Sequence, residues 1–144
     1  MTVEICNRQA RHPLGLRVNP RLLKALASRA LELAGADTDY NLSLVLVNDK
    51  QIARVNARYH NVEGPTDVLS FDYGNGQGEL IISTERAQAQ ARRFRTTAGQ
   101  ELTLYLVHGV LHLHGYDDTT PRERKRMRRA ERKFMRLLVH GCKL

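Results

Sequence analysis

His108 and His112 stand four residues apart in LTLYLVHGVLHLH, a segment otherwise built almost wholly of aliphatic side chains. In a helix that spacing projects both imidazoles from one face, about one turn apart, close enough to share a cation. The aliphatic setting strengthens the argument. Two unligated imidazoles on a buried helix need hydrogen-bond partners or cost free energy, and shared ligation removes that cost.

A third donor is available where the helix stops. Gly115 ends it, and the turn Gly115-Tyr116-Asp117-Asp118 can fold back toward the histidines. Asp118 is the expected third ligand, with Asp117 in competition because both lie in the turn. Two donors from a rigid helix and one from the turn leave a coordination position open, which is the pattern of a catalytic rather than a structural zinc site. His114 points to nearly the opposite side of the helix from His112 and reads as a core or rim histidine. His12 and His140 have no partner in sequence.

The residue after His108 is Gly109, where zinc peptidases of the H-E-x-x-H type carry the glutamate that deprotonates water. Peptidase chemistry of that kind is therefore disfavoured. A phosphodiester substrate, by contrast, brings its own oxygens to a metal.

A polyanionic partner is also suggested by charge. The net charge is +8, and between Pro121 and Arg136 nine basic residues face only Glu123 and Glu131. Like charges at i, i+4 repel, so such a helix invites a polyanion to neutralise it. Arg122, Arg126, Arg129, Arg132 and Lys133 are the expected surface for it, and because few aromatics are interleaved a nucleic acid would meet them by its backbone rather than by base stacking. Arg92, Arg93 and Arg95 extend that surface or compensate a helix dipole.

Nine elements are needed to position these groups. TVEIC alternates like a first strand. Asn19 and Pro20 open a helix that stops at Gly35. NLSLVLV reads as a central strand, and Asn48 with Gln51 caps the helix after it. DVLSFDY and GELIIS flank Gly74, Asn75, Gly76 and Gln77, a hairpin with a slightly long loop. A helix over TERAQAQARRF follows. Thr97 and Gln100 then cap the histidine helix, apolar almost all round and hence expected at the centre of the domain. A last helix, roughly residues 120 to 139, stripes Met127, Ala130, Phe134 and either Leu137 or Leu138. The fold class is α+β: a small mixed four-stranded sheet packed with about five helices, in one domain over residues 1–144.

Cys6 and Cys142 have no C-x-x-C partner, which argues against a redox motif or thiolate zinc cluster. No apolar leader opens the chain, and its longest aliphatic runs are too short to span a bilayer, so a soluble cytoplasmic protein is expected.

The histidine segment, from His108-Gly109-Val110-Leu111-His112 through Gly115-Tyr116-Asp117-Asp118, resembles the H-G-x-L-H-L-x-G-Y-D-H signature of the YbeY family of bacterial rRNA-processing endoribonucleases. Pro65-Thr66-Asp67-Val68-Leu69-Ser70-Phe71 is similar to that family's second signature, P-T-D-V-L-S-F. The resemblance covers essentially the whole chain. It implies an endoribonuclease of single-stranded RNA with one Zn2+ per chain, acting in 3′-end maturation of small-subunit (16S) rRNA and in ribosome quality control. Its partners would be rRNA and the small ribosomal subunit or its proteins, with no membrane. By position, His108 and His112 match the first two ligands, and Asp118 replaces the third histidine. A carboxylate is an acceptable zinc ligand but makes the metal a weaker Lewis acid. The family pattern N-x-x-Y-R matches Asn56-Ala57-Arg58-Tyr59-His60, with His60 in place of the arginine. His60 and Arg58 are the candidate catalytic residues outside the metal site, His60 to hold a phosphate or move a proton. The alternative function is a non-catalytic RNA-binding ribosome-assembly factor with a structural metal.

Overall fold

Local capping chemistry starts most of the helices. In the computed structural model, which describes residues 1–9, 16–61, 64 and 66–139, β1 (Thr2–Asn7) is followed by α1 (Pro20–Leu33). The Asn19 side chain accepts hydrogen bonds from the backbone of Arg21 and Leu22, as expected of its N-cap position. β2 (Asn41–Val47) leads into α2 (Asp49–His60), whose Asn48 and Gln51 form the reciprocal capping box. β3 (Val68–Gly74) and β4 (Gln77–Ser83) make the hairpin, and α3 (Thr84–Phe94) and α4 (Ala98–Leu113) follow. α4 opens on the Thr97–Gln100 capping box, and α5 is Pro121–Val139. His12, Pro65, His140 and Cys142 lie outside the described residues.

The sheet order is β1-β2-β4-β3, with β1, β2 and β4 parallel and β3 antiparallel to β4. This is the expected mixed four-stranded sheet with five helices. β2 is central, paired on both sides, as its apolar composition suggested. The hairpin is tighter than expected: Gly74 and Gln77 still pair, leaving only Asn75 and Gly76 as the loop. Positive φ at both residues lets two of them suffice, because that backbone twist matches the twist of the flanking strands.

Strand alternation divides the core. Leu42, Leu44, Leu46, Leu80 and Ile82 face a main cluster shared with α1, α4 and α5. Val47, Leu69 and Ile81 face Ile52 of α2 on the other side. α4 packs against α1, α3, α5, β3 and β4, which makes the histidine helix the centre of the molecule. Leu138 is 2% exposed and Leu137 46%, so Leu138 completes the inward stripe of α5.

Gly109 is what lets α4 lie this close to the sheet. A Cβ there would stand 2.6 Å from Leu80 Cδ2, and Leu80 is fully buried. The peptidase glutamate is thus sterically barred as well as absent. Overpacking costs about 1–3 kcal/mol and outweighs the ~1 kcal/mol of helix propensity that Ala returns. Gly109→Ala is therefore expected to lower the thermal melting point; a higher one would mean α4 can move off the sheet without penalty.

No described helix is long and apolar enough to cross a membrane.

Candidate metal centre

α4 is buried along most of its length, and Leu104, His108 and His112 are its partly exposed stripe, each one turn from the next. The chain then reverses. Gly115 takes φ 93°, which L side chains rarely adopt, and the Tyr116 amide donates back to the Leu111 carbonyl. The Arg126 guanidinium lies 4.5 Å from the centre of the Tyr116 ring, and Arg124 donates to the carbonyls of Asp118 and Thr119. These contacts pin the turn to α5.

Pinned this way, the turn brings Asp118 to the histidines. His112 Nε2 is 3.1 Å from His108 Nε2 and 3.3 Å from Asp118 Oδ2, and His108 Nε2 is 3.6 Å from Asp118 Oδ2. Donors about 2.0–2.2 Å from a tetrahedral cation stand roughly 3.3–3.6 Å from one another. The triangle therefore fits a small divalent cation, and among the described residues these three form the group able to hold one. Asp117 is exposed, and its carboxylate accepts from the Asp118 amide instead. His114 turns its Nδ1 to the Val110 carbonyl at 2.8 Å and its ring to Tyr40, which makes it the rim histidine expected.

Sequence reasoning missed Glu131, treating it only as one of two acids in a basic helix. Its Oε1 lies 2.7 Å from His108 Nδ1. A carboxylate can only accept, so Nδ1 carries the proton and the Nε2 of a neutral ring faces His112 and Asp118 with its lone pair. This is the carboxylate–histidine arrangement that orients metal ligands. A faint signal existed: Glu131 falls beside the inward stripe of Met127, Phe134 and Leu138, an odd place for a carboxylate without a partner.

The electrostatics follow from these contacts. Burial disfavours the protonated His108, but the hydrogen bond and charge of Glu131, with Asp118 and Asp67, outweigh it and raise its pKa above the ordinary 6.5. Asp67, in the second motif, has its pKa raised by burial although Arg86 and His108 oppose the shift. Its carboxylate sits 3.8 Å from Arg86.

Arg58 and His60 lie at the end of α2, both exposed. The Arg58 guanidinium lies over the Tyr59 ring at 5.4 Å, and the His60 ring is 5.7 Å from that of Phe71. No described contact links either side chain to the three donors.

The family profile described as Endoribonuclease YbeY matches residues 4–139. A Heliobacterium modesticaldum protein named Endoribonuclease YbeY is 39% identical over 133 residues, covering 80% of this chain and 80% of that protein. A Geobacter metallireducens protein of the same name is 37% identical over 149 residues, covering 96% of each. The solution structure of a Thermotoga maritima protein superimposes with a TM-score of 0.64 at 26% identity, over 94% of this chain and 88% of that one.

Proposed function

Since the chain belongs to the YbeY endoribonuclease family, we propose that it is a cytoplasmic, zinc-dependent endonuclease of single-stranded RNA that matures the 3′ end of small-subunit rRNA and serves ribosome quality control. The whole chain, 1–144, acts as that one domain, with one zinc ion and with rRNA and the small ribosomal subunit as partners. The observation that carries the metal dependence is the triangle of His108, His112 and Asp118, two of whose sides, 3.3 and 3.6 Å, fall in the spacing of a tetrahedral donor set while the third, 3.1 Å, is slightly shorter.

In this mechanism His108, His112 and Asp118 would hold the cation. A divalent cation there would supply Lewis acidity, polarising a phosphodiester oxygen and making water more acidic. The chain's own residues do the rest. Glu131 keeps the His108 proton on Nδ1 so that Nε2 stays free to ligate. Arg122, Arg126, Arg129, Arg132 and Lys133 hold the RNA backbone from α5, where all five are exposed. His60 holds a phosphate or moves a proton near the scissile bond, and Arg58, which stays protonated, can only hold a phosphate. Asp118, standing where the family has histidine, adds negative charge and would moderate the Lewis acidity of a bound cation.

Chelation tests the proposal. Purified protein should contain zinc by elemental analysis and cut a single-stranded precursor-rRNA fragment internally. A chelator should reduce cleavage at least ~100-fold, and added zinc should restore it. Undiminished cleavage after complete metal removal would refute the mechanism. An assembly factor without catalysis would show no cleavage in any metal, yet would still bind the RNA.

A further inference from the structure

A groove of about 820 Å3 runs between α4 and α5, directly beside the metal centre. Leu104 and Met135 form its apolar part, and Arg128, Arg129, Arg132 and Arg136 stand around it. Leu104 is one turn before His108 on the exposed stripe of α4, so the groove continues the line of the metal donors along the helix. The acid in the groove, Glu131, is turned to His108 and is shared between the two sites.

None of the four arginines makes an ion pair or side-chain hydrogen bond to another described residue. All four are exposed on one face of α5, at positions that repel one another. A solvated charged face would not need an apolar floor, and an apolar ligand pocket would not need four guanidiniums. The combination suits a nucleotide, whose phosphate takes the arginines and whose base takes the apolar floor. The volume falls within the range of small-ligand clefts, about 300–1,000 Å3.

We propose that this groove is a nucleotide subsite of the RNA substrate: the strand's phosphates lie on Arg128 and Arg132, one base packs on Leu104 and Met135, and the next phosphate along reaches the His108, His112 and Asp118 centre. The proposal rests on the RNA endonuclease reading and deepens it by fixing where the strand lies on one side of the scissile bond.

The test measures binding of a single-stranded oligoribonucleotide to metal-free protein by fluorescence anisotropy across a salt series. Arg128→Ala/Arg132→Ala is compared with Arg21→Ala/Lys24→Ala, which removes the same charge from exposed positions on α1. The groove pair should weaken binding about tenfold or more and lower the slope of log affinity against log salt by about 1.4, two phosphate contacts at ~0.7 each. The α1 pair should change neither, and both variants as purified, before the metal is stripped, should hold as much metal as the parent. An oligonucleotide with an abasic site should bind the parent more weakly, and Met135→Ser should erase that difference.

Equal losses in the two pairs would mean charge acts without a site, and an unchanged groove pair would place the strand elsewhere; either overturns the subsite alone. If the parent binds no RNA even at low salt, the RNA reading itself falls with it. A second copy of the chain seated in the groove would appear as self-association that Arg128→Ala/Arg132→Ala abolishes while RNA affinity stays intact, again overturning the proposal.

Discussion

Replacing His112 with Ala is expected to abolish metal retention and RNA cleavage together while leaving the fold intact. His112 Nε2 makes the two shortest sides of the donor triangle, 3.1 Å to His108 and 3.3 Å to Asp118. Its loss leaves two donors 3.6 Å apart on different segments, too few to hold a cation against water. Zinc occupancy should fall below detection by elemental analysis and cleavage by about 1,000-fold or more, the scale on which charge-stabilising groups contribute. The structural cost is small, because the imidazole is partly exposed and Ala is the better helix former. The metal-free variant should therefore melt within a few degrees of the metal-free parent. Cleavage at the parent's rate by metal-free His112→Ala would remove the metal centre from the mechanism.

Glu131→Ala should weaken metal binding about 10- to 100-fold, the usual effect of deleting the carboxylate behind a ligating histidine. Glu131→Gln should recover most of that loss, because its carbonyl oxygen still accepts from His108 Nδ1. The pH dependence separates orientation from charge. In the parent, a raised His108 pKa means that protons compete with metal to higher pH than usual, so affinity climbs as the pH rises through that value. The metal-free fold behaves oppositely. A folded-state pKa above the unfolded 6.5 contributes stability that is fully present below 6.5 and is lost as the pH rises through the folded value. Glu131→Gln removes the charge, which should bring His108 back toward 6.5, shift the onset of metal binding to lower pH and flatten the stability profile of the metal-free protein. Titration of the His108 ring by NMR in the three proteins checks each step. Wild-type metal affinity in Glu131→Ala would show that the hydrogen bond plays no part in holding the ligand.

Much of the fold could be read from the chain because its determinants are local. Asn19, Asn48 with Gln51, and Thr97 with Gln100 cap helices where they were expected to. A capping side chain bonds to a backbone only two or three residues away. The hairpin was foreseeable from its glycines but drawn too loosely, since the length of a two-residue loop depends on how the strands on either side twist together. The inward stripe of α5 was legible up to one ambiguity. Leu137 and Leu138 are equivalent by periodicity, and only packing buried the second.

The same division runs through the candidate site. Spacing alone put His108 and His112 on one face, because helical geometry relates residues four apart whatever surrounds them. It could not choose between Asp117 and Asp118, which depends on a turn held by Arg124, Arg126 and Tyr116. Nor could it reveal Glu131, which meets His108 across 23 residues of chain only because α5 packs along α4. The close approach of Gly109 to Leu80 is likewise visible only once helix and sheet are docked. What the sequence settles by itself is whatever a single helix or turn dictates through its own backbone. Which side chains from distant segments face one another is decided by packing, since that energy belongs to the pair of surfaces and to neither segment alone.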